Sequence, residues 1–262
     1  MTKNIEYIYL LYFLILIIPT FIIIIKINSG DFFKKSIIAF VRMVVQLLFL
    51  GIYLNYIFKL NNTYINAFYL LFMIGISTHS VIESTFLRDK KIILIVFISV
   101  FCPFIGALYI FEGLVLKLEN IFDAMYLIPI SGMILGNTLN SIILVLNDFI
   151  NSLKKSKDEY IFYITMGASK HEALKPYIES CMLTALKPKI ANMATIGLVS
   201  IPGMMTGQIL GGNGPMIAIK YQIAIMISIF SMSVISTYVL LHLIIHYYFD
   251  EYSMIDSKFL GE

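Results

Sequence analysis

Two pairs of side chains stand at a spacing that could chelate a divalent ion. His79 and Glu83 are one helical turn apart, as are His242 and His246, so each pair would share a helix face. Both pairs fall at the ends of apolar segments, where polar side chains are ordinary at a membrane surface. The interfacial reading therefore stands beside the metal one, and neither pair is assigned as a metal site. Met204 and Met205 could offer thioethers to a soft ion, or simply pack. Ferrous iron would take carboxylate or imidazole donors, and the apolar segments hold few of either. No Gly-x4-Gly-Lys-Ser/Thr loop is present; Gly211-Gly-Asn-Gly214-Pro215 is glycine-rich but lacks the lysine. His171-Glu172 continues as Ala-Leu-Lys, not as a His-Glu-x-x-His zinc motif, and no Ser or Cys has an apparent partnered base. The chain is expected to carry no catalytic residue and no cofactor of its own.

A different kind of chemistry is written in Ile201-Pro-Gly-Met-Met-Thr-Gly-Gln-Ile-Leu-Gly-Gly212. Lipid cannot hydrogen-bond a backbone, so a broken helix at membrane depth persists only where protein or a watery path covers it. In transporters such interruptions lie near the transport path. Pro202 removes a donor and Gly203 adds backbone freedom, which predicts a kink or unwound turn. Either neighbouring helices satisfy it as a static kink, or it is a hinge. Asn192, Thr206 and Gln208 are polar positions of the same segment and join Met204 and Met205 as candidates for the path.

Two more polar sets lie inside apolar runs. Gly132 and Gly136 are at a spacing that lets helices approach closely, with Asn137 and Asn140 on the same half of the helix. Each Asn reads as an interhelical hydrogen bond or as part of a substrate path. Arg42 lies about 10 Å along the helix axis from Lys35, with Gln46 one turn deeper. Arg42 can snorkel to the membrane surface or pair within it.

The elements that position these residues follow from composition. The chain has 262 residues, 59% hydrophobic and 13% charged, with mean hydropathy +0.87. That is about half the charged share of a soluble domain, so an all-α polytopic membrane protein is expected, as a single permease domain over 1–262. Cys102 and Cys181 are too few and too far apart for a disulfide framework. Seven spans are predicted at about 20 apolar residues each: Ile5–Ile25, Ser36–Phe58, Tyr64–Ser80, Ile92–Phe111, Phe122–Leu146, Ile190–Leu210 and Met216–Tyr247. The first has no small-residue cleavage site and is read as a retained span, not a signal peptide.

Lys and Arg in the short loops set orientation. With the N-terminus outside, the inner loops and tail hold Lys26, Lys34, Lys35, Arg88, Lys90, Lys91, seven lysines between Lys154 and Lys189, and Lys258. The outside holds only Lys3, Lys59, Lys117 and Lys220. An N-out, C-in topology in the cell membrane follows, with 248–262 as a cytoplasmic tail.

Residues 147–189 are the one large hydrophilic segment. Ser156 with Glu159 has capping-box spacing, Gly167 is a helix stop, and Ser169 with Glu172 starts a second helix. Two short helices meeting at Gly167-Ala168-Ser169 could dock on a cytosolic partner, or the segment could lie on the inner leaflet through its lysines.

Glu159…Gly167-Ala168-Ser169…Ala173…Pro176, followed by Ala185-Leu-Lys-Pro188, resembles the coupling loop by which ABC-transporter permeases dock on their ATPase. Over most of its length the chain is similar to the iron-export-type permeases, the FetB-like proteins and their plant relatives linked to aluminium tolerance. The shared residues are Arg42-Met-Val-Val-Gln46, Gly51-Ile-Tyr-Leu54, Gly132-Met-Ile-Leu-Gly136-Asn137 with Asn140, Met166-Gly-Ala-Ser169, and Gly197 through Gly212 with its Pro-Gly-Met-Met-Thr-Gly-Gln string. The Glu159-to-Gly167 spacing is wider than in importers. The resemblance implies a permease subunit that dimerises, works with a separate ATP-hydrolysing subunit and moves a metal cation outward. A nucleotide-sugar or other small-solute permease, and a membrane scaffold or regulator without a path, are the alternatives. A nucleic-acid partner is not expected.

Overall fold

The computed structural model describes residues 6–27, 30–85, 89–256 and 259. Ile5, where the first predicted span begins, and Lys3, Arg88 and Lys258 of the charge balance lie outside the described residues. The helices in chain order are α1 (Tyr7–Leu10), a 3-10 turn (Leu11–Phe13), α2 (Leu14–Ile27), α3 (Gly30–Leu60), α4 (Thr63–Ser84) and α5 (Lys90–Leu108). A π-helix (Tyr109–Val115) follows, then α6 (Ala124–Lys155), α7 (Lys157–Thr165), α8 (Lys170–Thr195), α9 (Gly203–Leu210) and α10 (Pro215–Tyr248). No strand occurs among the described residues. Among the described residues, six helical segments are long and apolar enough to cross a membrane: Ile8–Ile27, Phe32–Leu60, Thr63–Ser84, Lys90–Val115, Ala124–Lys155 and Pro215–Tyr248. The protein is an all-α, multi-pass membrane protein.

Short polar caps start these helices where the loops end. The first backbone N–H groups of a helix have no partner within it, and a side-chain oxygen supplies one. Asn62 accepts from Tyr64 N and Ile65 N before α4, Asp89 from Lys91 N before α5, and Asp123 from Met125 N before α6.

Ser156 precedes α7 as predicted but without its capping box, and one predicted helix is longer. Ser156 makes no capping hydrogen bond through its side chain. Its N–H instead donates to Ser152 O, because α6 runs on to Lys155 and Ser156 closes that helix before α7 begins. The helix after Ser169 is not short: α8 continues for 26 residues, through Pro176 and Pro188, into the sixth predicted span. Among the described residues, that span is the one candidate interrupted in its interior by non-helical backbone. It breaks after Thr195, and helix resumes at Gly203. An unwound turn was expected there from Pro202 and Gly203; the unwinding begins earlier, with Gly197 at φ +84°.

The chain divides into two compact units, Met1–Asn61 with Leu210–Gly212, and the remainder. In the first, α2 and α3 expose apolar side chains along their lengths. Phe21 meets the Phe33 and Phe40 rings edge-on, at 5.6 and 6.5 Å between centroids. In the second, α6 is the central helix, packed against α4, α8 and α10, with α5 against α4 and α10. Leu127, Ile130, Ile134, Ile142, Val145, Phe149 and Leu153 form its buried stripe at helical spacing. A side chain built on Gly132 would lie 3.6 Å from Met73 of α4, whereas Gly136 faces open space. A Cβ would fit at either position, so neither glycine marks a close helix approach.

Candidate functional site

The hairpin of α7 and α8 is fixed at its base and bare at its tip. Tyr160 is fully buried, donates to Ser253 O at 2.6 Å, and meets the Phe249 ring edge-on at 5.9 Å. Burial, with help from Asp250, pushes its phenol up to about 12. It stays a neutral anchor at any cellular pH. Ala173, Leu174 and Tyr177 bury one face of α8, and the Tyr177 hydroxyl donates to Ser156 O. Cys181 is also buried, and its thiol is pushed up to about 12, first by burial and then by Asp148, so it is not a reactive thiolate.

At the turn, Gly167 has φ +92°, a conformation that costs any other L-residue, and Ser169 opens α8 with a complete capping box. Ser169 N donates to Glu172 Oε2 at 2.8 Å, and Glu172 N donates to Ser169 Oγ at 3.4 Å. The tip then presents Phe162, Tyr163 and Met166, exposed by 58%, 39% and 73%. Glu159 is exposed and accepts from the Tyr163 hydroxyl at 3.2 Å. Of the residues singled out for coupling, Glu159, Gly167, Ser169 and Pro176 are exposed, Ala168 is half-buried, and Ala173 is buried. Ala173 therefore seats the hairpin and is not part of its outer surface.

Further along, α8 lays polar groups against the middle of α6. Lys189 Nζ donates to Asn137 O at 2.9 Å, while Asn137 Nδ2 donates to Met133 O, also at 2.9 Å. Asn137 sits near the midpoint of its span, so the half-buried Lys189 ammonium reaches the middle of α6 and does not lie in a loop. Asn137, Asn140 and, on α8, Asn192 are exposed side chains. The sequence reading placed Lys189 in the inner hydrophilic segment, just before the sixth span; it lies inside α8.

The broken segment follows. Gly197 N bonds Ser200 O at 2.9 Å across a tight turn, and Leu198, Val199 and Ile201 stand 89%, 82% and 62% exposed. Helix α9 restarts with Thr206 Oγ1 donating to Pro202 O at 3.1 Å. Met204 packs against the core, which supports packing as its role, and Met205 is half-buried. The Gln208 side-chain oxygen is buried with no hydrogen-bond partner.

The remaining candidates are not brought together. Arg42 and Gln46 are exposed on α3 in the first unit. His79 and Glu83 are exposed on α4. His242 stacks on Tyr238 at 6.4 Å, and His246 meets Tyr247 edge-on at 5.0 Å. Among the described residues, no group of three or more His, Cys, Asp or Glu side chains is arranged to hold a metal ion. A second residue that sequence reading missed is Glu112. It was placed just beyond the fourth span, but the π-helix carries that span on to Val115 and buries Glu112 completely. The apolar residues on both sides of it, Tyr109-Ile-Phe and Leu114-Val-Leu, were the available signal.

The Uncharacterised protein family (UPF0014) matches residues 7–249. The chain belongs to this family. Among UPF0014 relatives, the UPF0014 membrane protein YjkA of Bacillus subtilis is 31% identical over 208 residues, covering 79% of this chain and 81% of the relative. The Probable iron export permease protein FetB of Escherichia coli is 30% identical over 203 residues, covering 77% and 76%. Protein ALUMINUM SENSITIVE 3 of Arabidopsis thaliana is 26% identical over 185 residues, covering 71% and 66%. No solved structure matches this UPF0014 chain.

Proposed function

We propose that this UPF0014 protein is the membrane-spanning permease subunit of an ABC transporter that exports a metal cation. A separate subunit binds and hydrolyses the ATP, and two copies of the chain form the conduit. The observation that carries this reading is the α7–α8 hairpin. Its apolar tip, Phe162 and Met166, is exposed, while its base is locked by Tyr160 and its turn by Gly167 and Ser169. A rigid hairpin with uncovered apolar side chains suits a protein groove. The name of the Escherichia coli relative supports iron-like cargo and an outward direction. The lysine balance supports the N-terminus outside and the hairpin in the cytoplasm of the cell.

In this mechanism the partner's ATP-driven closure moves the hairpin. Helix α8 is continuous from Lys170 to Thr195, so it carries that movement to the break at Ile196–Pro202. The break lets α9 reorient and opens the path beside Asn137, Asn140 and Asn192.

The test is reconstitution. A Walker-type ATPase should copurify with the tagged chain, and Met166→Cys should crosslink to it. ATP hydrolysis by the complex should rise with a metal cation from a panel. Gly203→Leu should stop export with crosslinking intact. Solute movement by the chain without any ATPase, or labelling of the Met166→Cys thiol by an impermeant reagent from outside the cell, overturns the reading.

One observation favours a second reading. The Lys189 ammonium beside Asn137 suits an anionic solute better than a cation. A nucleotide-sugar in the same ATPase assay separates the two.

A further inference from the structure

After α10 the chain folds back on itself. Phe249 pairs with Ile255 in an antiparallel bridge, and Asp256 N donates to Tyr248 O at 2.9 Å. Asp250 closes the turn between them. Its N–H donates to Met254 O at 3.1 Å, and its carboxylate accepts from Met254 N at 2.7 Å. Ser253, inside this turn, has φ +62°, a left-handed conformation that costs any residue with a Cβ. Such a residue persists where its surroundings over-determine it. Phe259 is fully buried, with its ring 4.8 Å from that of Tyr248 and 6.4 Å from that of Phe149 on α6, between centroids.

Two tyrosines join this hook to separate parts of the chain. At the hairpin base, the Tyr160 hydroxyl donates to Ser253 O at 2.6 Å. At the other end, the Tyr248 hydroxyl donates to Asp89 Oδ2 at 3.0 Å. Asp89 is also the cap of α5, where its Oδ1 accepts from Lys91 N at 3.2 Å. Hydrogen bonds and paired backbone therefore run without a gap from α7, through the hook, to the first turn of α5. Both tyrosine side chains are buried, and a buried hydroxyl that loses its acceptor is penalised. The hairpin and the start of α5 cannot shift apart without breaking one of these bonds. Helix α5 in turn packs against α4 and α10, a part of the bundle that α7 does not reach directly.

We propose that the hook, Phe249–Asp256 with Phe259, is a strap that ties the hairpin base to the cap of α5. Tyr160 and Tyr248 are its positioning residues. A displacement of the hairpin then reaches α5 through the strap as well as the chain break through α8. The inference rests on the permease reading only in taking an ATPase as the source of the displacement; the tie itself is measured in the chain alone.

Coupling between two places is reciprocal, and this sets the experiment. The full chain in detergent is followed by amide hydrogen exchange at α7 and at the first turn of α5. Tyr160→Phe should speed exchange roughly 5-fold at α7, as for one net hydrogen bond, and roughly 2-fold or more at Lys91–Leu94. Tyr248→Phe should do the reverse, with its larger effect on α5 and the smaller on α7. Because the two bonds lie in series, the double variant should exchange at each end no faster than the variant that breaks the nearer bond. Exchange across the buried centre of α6, Ile134–Ile142, should stay at the wild-type rate, which a general loosening of the fold would not allow. The strap is overturned if either single variant leaves the far end at the wild-type rate, if the two effects simply add, or if α6 loosens equally. Assays on the complex separate the two readings. If the ends are linked in a chain that recruits no ATPase, the strap stands and the permease reading falls. If the complex exports metal while the ends exchange independently, the strap falls and the permease reading stands.

Discussion

The first turn of α8 is closed by Ser169 and Glu172, and within a few residues the helix buries Ala173 and Leu174. Its last turn ends at Thr195, inside a stretch where no residue from Leu186 to Ile217 is buried. The two ends of one helix are thus built in opposite ways. At the start, the polar groups are paired by neighbours in the chain, and the apolar groups by the core. At the finish, Leu198 and Val199 stand 89% and 82% exposed, and one turn around Gly197 holds the backbone. A continuous helix between a fixed end and an uncommitted end can transmit a displacement without absorbing it. Regions with few buried contacts are also the ones that move at low cost.

The largest effect that can break this comparison is on stability. Tyr160→Ala removes the anchor of the fixed end and should cost about 3–5 kcal/mol, the usual range for emptying an aromatic site. Val199→Ala, at the open end, should cost no more than about 0.5 kcal/mol. Thermal unfolding of the purified chain, with limited proteolysis between Lys154 and Lys175, reads both. Equal losses would remove the distinction between the two ends.

A matched pair of smaller substitutions sharpens it. Gly167 and Gly197 have φ of +92° and +84°, and a side chain at either would meet nothing within 4 Å. The cost of Gly167→Val and Gly197→Val is therefore conformational, about 1–2 kcal/mol in each case. Similar instability should come with different failures. Gly167→Val should weaken ATPase crosslinking, and Gly197→Val should slow export with crosslinking kept. The same failure in both would mean that α8 does not separate docking from movement.

What was legible in the sequence follows the same division. The Gly167 stop and the Ser169–Glu172 box were readable because the interaction spans three residues and needs no tertiary partner. Ser156 with Glu159 has the same spacing, yet makes no such box, because α6 reaches Lys155 and uses Ser156 as its own close. Spacing alone cannot register a helix that arrives from the other side. The break near Pro202 was readable from the breaker itself, but its start at Ile196 depends on the turn at Gly197, which no local rule forced. Glu112 and Lys189 were missed for one reason. The fourth span was ended just before Glu112 and the sixth begun just after Lys189, whereas the π-helix extends past Glu112 and α8 extends through Lys189. Charges at membrane depth become visible only when the helix ends are known.

The smallest effect concerns protons at the fixed end. Hydrogen bonds from the Ser169 side chain, then from its backbone, hold the Glu172 carboxylate below the usual carboxylate range. A carboxylate whose folded-state value is depressed stabilises the fold above its unfolded value, and that contribution is lost as pH falls through the folded value. The first turn of α8 should therefore keep this contribution through mildly acidic solution and loosen only as pH falls below the usual carboxylate range. Ser169→Ala removes the cap at about 1 kcal/mol and should also release Glu172, so its titration midpoint should rise towards that of a free glutamate. Carbon-detected NMR of the labelled carboxyl reads the midpoint, and amide exchange at Ala173 reads the turn. If the midpoint is the same in wild type and Ser169→Ala, the capping box is not what holds this end of the helix. The contrast with Gly197 would then rest on burial of Ala173 and Leu174 alone.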